Sequence, residues 1–224
     1  MPEIAEKKVM ELEKALWVAS EGGRYPILCD QSPCLHRLRA HLKSLQSKDS
    51  EGQSLSSSSI DFLHVFEPAE FIMTFLRDRL EFHQKSSPVA IHITCTMRLM
   101  KLTGVITDLA RLCSSDVIIP EGVGCCGFAG DKGMTHPELN AYALRKLRQA
   151  VNPDAVSGSS TTAGAPASSP SPSSPSSPVA VGYSNSRTCE IGLETNSGIP
   201  YVSIVYLVNS CTTRRYTDSF IEQQ

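Results

Sequence analysis

The run Gly122-Val123-Gly124-Cys125-Cys126-Gly127-Phe128-Ala129-Gly130-Asp131-Lys132-Gly133 limits what this chain can build more than any other stretch. Two adjacent cysteines share it with five glycines. Glycine lets a backbone pass close to a bulky object and take up positive φ at little steric cost. Adjacent cysteines are poor partners for each other, because disulfide geometry needs their Cα atoms well apart. The thiols of Cys125 and Cys126 are therefore expected to point at something else, with the glycines making room for it. On this run alone two readings stand level. One is an inorganic group held by thiolates. The other is a glycine-rich turn carrying two inert buried thiols, since free cysteine often acts as a small hydrophobe.

The pattern along the chain favours the first. Residues 3–20 space Val9, Leu12 and Leu16 on one helical face, and Glu21-Gly22-Gly23 ends that helix. Tyr25 to Cys29 reads as a short strand. Ser32 and Pro33 then open a helix to about Leu45, with Cys34 in its first turn, where the helix dipole favours a thiolate. The Ser-rich residues 46–59 read as a loop. Ile60–Phe66 is an expected strand, Pro68–Phe82 a helix, Pro88–Cys95 a strand and Met97–Cys113 a helix. Asp116–Pro120 is a strand feeding the cysteine pair, and Pro137–Ala150 a helix capped by Thr135 or His136. Val179–Tyr183 is a strand, and Ser186 starts a helix with Cys189 in its first turn. Val202–Cys211 fits helix or strand, with Ser203 as a cap favouring helix. Strands alternating with helices imply an α/β fold, a small parallel sheet of βαβ units flanked by helices. In such sheets sites form at the carboxyl ends of strands. Cys29, Cys34, Cys95, Cys125 and Cys126 all fall at or just after such ends.

Composition narrows the chemistry. The formal net charge of −2 comes with no long block of like charge, which gives no support to nucleic-acid binding. No apolar run reaches membrane-spanning length, and the charged start Met1–Lys8 lacks the apolar core of a signal peptide. An intracellular protein of the cytoplasm or an organellar matrix, at most peripheral to a membrane, is the expectation. In a reducing compartment, eight cysteines read as metal or redox groups rather than a disulfide framework. Apolar residues make up 41%, below the usual share, so part of the chain should stay outside the core. Residues 157–178, with ten Ser and five Pro and no charged or aromatic residue, are that part. Residues 151–178 read as a disordered insertion, because patterned sequence resumes after it.

Cys95 and Cys125 are separated by 29 residues, and Cys126 and Cys189 by 62; without residues 151–178 the second gap shortens to 34. The array Cys-x29-Cys-Cys-x34-Cys resembles the CCG domain, the cysteine-rich domain of heterodisulfide-reductase-like and glycolate-oxidase-like iron–sulfur subunits. The run GVGCCGFAGDKGMTHPELN, then YSNSRTCEIGLETNSGIPYVSIVYLV, is similar to the C-terminal end of FAD-linked D-lactate dehydrogenases of the cytochrome-linked type. This resemblance implies two pseudo-repeats. Residues 1–59 would be the tail of a truncated first repeat plus the Ser-rich loop; residues 60–150 with 179–216 would be the second. It implies that Cys95, Cys125, Cys126 and Cys189 hold an iron–sulfur cluster of the 4Fe–4S type, with Cys34 as a fifth ligand. Backbone N–H groups of the Gly124–Ala129 loop, with Gly124 and Gly127 lining it, would tune that cluster.

The implied activity is electron transfer in a flavin-dependent D-2-hydroxyacid dehydrogenase. The FAD would sit in a missing region or a partner flavoprotein, and a cytochrome or quinone would accept the electrons. Two departures qualify it: Cys189-Glu190-Ile191-Gly192 lacks the second cysteine of the family's Cys-x-x-Cys, and neither a flavin region nor a C-x2-C-x2-C run is present. A zinc module, a thiol–disulfide catalyst using Cys125 and Cys126, and an inactive fragment are the competing expectations. Zinc sites usually show paired Cys-x2-Cys knuckles, absent here. Cys113 and Cys211 are expected in the core, as are His92 and the Phe71–Leu80 stripe; Cys29 in mid-strand more often packs than ligates. His136, Arg187 and Asp131 are expected at a helix start and in surface pairs.

Overall fold

A computed structural model describes residues 2–49, 63–152 and 178–215. Its centre is a four-stranded, wholly parallel sheet in the order β5-β4-β6-β7. The strands are β4 (Val89–Ile91), β5 (Val117–Ile118), β6 (Gly182–Ser184) and β7 (Tyr201–Ser203). Ala90 pairs with both Ile118 and Gly182, so β4 is a central strand. The α/β expectation holds, and for the expected reason: short apolar runs separated by helical patterns pair in parallel with crossovers on the faces.

Helices cover both faces. Val89 and Ile91 point into one core with α3 (Pro68–Phe71), α5 (Thr103–Cys113) and α10 (Ile204–Cys211), where Ile106, Leu109, Ile204 and Leu207 are fully buried. Ala90 points the other way, against Leu144, which caps the end of α7 (Pro137–Ala143), Leu147 and Val151 of α8 (Leu147–Val151) and Leu193 of α9 (Arg187–Ser197); the one-turn α6 (Lys132–Thr135) precedes α7. This alternation is the period of two of a strand with both faces covered. Gly182 is the one position in β6 where the Tyr201 ring needs the missing Cβ: any side chain there would enter the ring.

A second, two-stranded parallel sheet joins β1 (Ile27–Leu28) to β2 (Val65–Phe66) in the register Ile27–Val65 and Leu28–Phe66. It packs with α1 (Pro2–Ala19) and α2 (Ser32–Asp49) around Leu35, Leu42, Leu63 and Val65. On α1 the expected face of Val9, Leu12 and Leu16 turns inward only in part. Leu12 is 47% exposed, while Leu16 and Trp17 turn inward. The expected helix over Pro68–Phe82 holds to Arg79 and fails only in its last three residues. After α3 it widens to a π-helix at Ile72–Leu76 and tightens to a 3-10 helix at Arg77–Arg79, then becomes β3 (Leu80–Phe82). β3 pairs antiparallel with β8 (Thr212–Arg214), a strand no local pattern announces. The expected helix over Met97–Cys113 breaks into α4 (Cys95–Leu99) and α5 at Lys101, whose φ is 61°. Residues 202–211 resolve as both alternatives in turn: β7, then α10 capped by the Ser203 hydroxyl on the Val205 N–H. The expected loop over 46–59 starts later, because α2 runs to Asp49; its residues from 50 on lie outside the described ones.

Most of the expected insertion, residues 153–177, also lies outside them. Its two ends do not. The Val179 N–H donates to the Val151 carbonyl at 3.2 Å, and both side chains are buried in the same core. The chain leaves and rejoins the fold at one point, so the intervening residues need not disturb the packing.

Candidate functional site

In the strand order β5-β4-β6-β7, the chain runs from β4 outward to β5, then returns to the far side of β4 as β6. The crevice at the carboxyl ends of β4 and β6 is therefore the switch point where such sheets bind ligands. Cys95 follows β4, Cys125 and Cys126 follow β5, and Cys189 follows β6. Three separate crossovers thus deliver four thiols to one edge.

There the four thiols are neighbours. Cys125 stands close enough to Cys95 and to Cys126 to influence the charge on both. Cys126 Sγ lies 3.0 Å from Cys189 Sγ. Cys95 and Cys125 are exposed, whereas Cys126 and Cys189 are buried. Two loop N–H groups donate to thiol sulfurs: Gly127 N–H to Cys125 Sγ at 3.4 Å and Phe128 N–H to Cys126 Sγ at 3.5 Å. The shared proton with Cys189 and the Phe128 N–H bring Cys126 down to about 7. The contact with Cys126, then burial, push Cys189 up. Burial and the neighbouring Cys125 also push Cys95 up.

The two loop glycines part company. Gly127 has φ 72°, and a Cβ there would meet the Leu139 carbonyl oxygen at 2.7 Å and Ala143 Cβ at 2.8 Å. It lets the cysteine loop lie directly on α7. Gly124 has no heavy atom within 4 Å of where a Cβ would stand.

Cys34 stands in the first turn of α2, exposed, beside Cys29 rather than among the four thiols. It is tied to their edge indirectly. Ser32 Oγ bonds Thr94 Oγ1 at 2.9 Å and accepts from Thr96 Oγ1 at 2.8 Å, and these two threonines flank Cys95. Thr94 also caps α4, accepting from Met97 N–H at 3.2 Å. Cys29 is half-buried, its thiol donating to the Gln31 carbonyl at 3.6 Å.

Several supporting residues carry no signal that sequence reasoning could use. Asn140 on α7 donates to the Cys126 carbonyl at 2.5 Å, and the Asn196 amide donates back to Asn140. Arg98 reaches the Val123 carbonyl at 3.4 Å. Glu67 is fully buried, caps α3 through the Ala69 and Glu70 N–H groups, and accepts from the Asn185 amide, which precedes α9. Nothing in a lone Asn or Glu foretells these long-range partners. His92 is buried as expected, with Nδ1 on Ser184 Oγ at 3.0 Å, but its Nε2 has no partner among the described residues. His136 occupies the cap position of α7 and pairs with Glu138, and Arg187 pairs with Glu190 at 3.0 Å.

The donor chemistry fits a thiolate-held iron–sulfur group: four thiols and sulfur-directed N–H groups. The spacing is tighter than such a group needs, because Cys126 and Cys189 are in thiol-to-thiol contact. Among the described residues no group of three or more His, Cys, Asp or Glu side chains could hold a metal ion as arranged. Binding a cluster requires those two thiols to part. Also among the described residues, no helix is long and apolar enough to cross a membrane. Comparison with protein-family models, with curated proteins and with solved structures gave no match for this chain.

Proposed function

We propose that this chain is an iron–sulfur electron-transfer domain serving a flavin-dependent D-2-hydroxyacid dehydrogenase of the D-lactate type. One observation carries the reading: Cys95, the pair Cys125 and Cys126, and Cys189, from three distant parts of the sequence, adjoin at the carboxyl edge of a parallel sheet. These four hold the cluster, and Cys34 on the adjoining helix end is the fifth ligand. The cluster supplies one-electron storage and transfer. The Gly127 and Phe128 N–H groups stabilise negative charge on the sulfurs, and Asn140 fixes the loop that presents them. Exposed Cys95 and Cys125 mark the side of the edge open to solvent, the side open to a donor or acceptor. Hydride removal from the hydroxyacid takes place at FAD in a separate domain or partner flavoprotein, and a cytochrome or quinone takes the electrons. The setting is intracellular, in cytoplasm or an organellar matrix.

Anaerobic purification followed by cluster reconstitution tests this. Brown protein with iron, acid-labile sulfide and a paramagnetic signal on reduction is expected. Colourless, iron-free protein after reconstitution would sink the reading.

The 3.0 Å contact of Cys126 with Cys189 favours one second reading, a dithiol redox centre. It differs from the pairing of Cys125 with Cys126 that the sequence alone suggests, because adjacent residues cannot close without strain. Redox activity that survives complete removal of iron would select it.

A further inference from the structure

We propose that Cys113 and Cys211 form a second redox site, a dithiol that closes to a disulfide when a hydroperoxide oxidises it. The pair is separate from the four thiols at the sheet edge and does not depend on any cluster there.

Cys113 is the last residue of α5 and Cys211 the last of α10. Both helices end against the same extended segment. His83 N–H donates to the Cys211 carbonyl at 2.6 Å, and Lys85 N–H donates to the Cys113 carbonyl at 2.8 Å. Residues two apart on a strand present their N–H groups to the same side, about 6.6 Å apart. The segment therefore holds the two cysteine backbones side by side, as a disulfide requires, since its Cα atoms stand roughly 4.4–6.8 Å apart.

The side chains agree with the backbone. Both residues are buried in one core, the Cys211 thiol donates to the Cys113 carbonyl at 3.4 Å, and the two thiols are close enough to influence each other's charge. Burial, then the neighbouring thiol, push Cys113 up to about 12, with Lys85 acting the other way. Tyr183 is the other titratable side chain facing both thiols. A protonated, shielded thiol reacts slowly, so closure follows local opening of the end of α10 rather than direct attack on the packed pair.

The reaction balances. The two thiols lose two protons and two electrons, their sulfurs join, and one hydrogen peroxide is reduced to two waters. The closed loop, residues 113–211, carries Cys125, Cys126 and Cys189. Oxidation therefore ties the segment bearing three of the four edge thiols to the core.

The test treats the full chain with hydrogen peroxide, alkylates it under denaturing conditions and maps unreduced peptides by mass spectrometry. A peptide pair linked through Cys113 and Cys211 is expected, together with a thermal midpoint raised by about 5–10 °C and reversed by a dithiol reductant. Cys113→Ala and Cys211→Ala should each lose the linked pair. Because either variant can fail to fold, the map of the unaltered chain decides. Cys113 and Cys211 both recovered alkylated, at a peroxide dose that consumes exposed Cys95 and Cys125, would overturn the proposal. So would Cys211 linked to any other cysteine.

Discussion

Asn140 holds the carbonyl of Cys126 through its side-chain amide at 2.5 Å, fixing the cysteine loop to α7 from 14 positions away. Asn140→Ala leaves that buried carbonyl unsatisfied and removes one of the two acceptors of the Asn196 amide, which keeps the Gly192 carbonyl. Stability should fall by about 1–3 kcal/mol in urea unfolding, and iron uptake on reconstitution should fall with it. Unchanged values for both would show that the loop is held by packing alone.

Gly127 and Gly124 should respond in opposite ways to the same change. Gly127→Ala meets the Leu139 carbonyl and Ala143 and also forces a left-handed backbone on a side chain. It should cost about 2–4 kcal/mol, combining strain and overpacking. Gly124→Ala meets no atom within 4 Å, and its expected effect on stability is within about 0.5 kcal/mol. Paired urea titrations check this. If the iron content of Gly124→Ala also matches the parent chain, Gly124 lines the loop without touching its ligand.

Two buried groups set opposing pH slopes. Burial pushes Glu67 from 4.5 up to about 7. Its contribution to stability is therefore complete below pH 4.5 and is lost as the pH climbs through about 7. Burial, then Arg98, bring His92 from 6.5 down to about 4, so its contribution is complete above pH 6.5 and is lost as the pH falls through about 4. Between pH 4.5 and 6.5 the two slopes oppose. Glu67→Gln should expose the His92 slope, with stability rising by roughly 2–3 kcal/mol across that interval. His92→Gln should expose the Glu67 slope, falling by a similar amount. The amide introduced by Glu67→Gln would find an acceptor in Asn185 Oδ1, which has no partner among the described residues of the parent structure. Urea midpoints measured from pH 4 to 8 settle the matter. A parent profile as steep as that of either variant would contradict the opposition.

Single serine replacements divide the cysteines by role. Iron per chain after reconstitution should fall at least severalfold for Cys95→Ser, Cys125→Ser, Cys126→Ser and Cys189→Ser. Cys29→Ser should retain it. Cys34→Ser is the discriminating member: loss of iron equal to the other four places its thiol on the cluster, whereas full retention removes it from the ligand set.

How much of this was legible in the sequence differs from residue to residue. Strand-then-cysteine order at Cys95 and Cys125, and the helix start before Cys189, are local patterns. So are the short apolar strands that make a parallel sheet, because periodicity and turn residues act within a few positions. The spacing that unites the thiols was also readable once residues 151–178 were set aside. What the sequence could not contain is any contact made across the fold. Leu80–Phe82 left its helical pattern because β8 offered it an antiparallel partner. The helix expected through Met97–Cys113 broke at Lys101. The buried face of α1 was chosen by the neighbours it packs on.

The cysteine pair at Cys125 and Cys126 shows the same division at the site. By itself the sequence determined that two thiols stand in a glycine-rich loop after a strand, because chain order and residue type are local facts. Only the tertiary structure decided where each thiol goes: Cys126 inward to Cys189, Cys125 outward to Cys95, Cys34 aside on its own helix end. The strand order brings three crossovers to one edge, and close packing of α7 against Gly127 turns the loop, neither of which a residue's immediate neighbours can dictate.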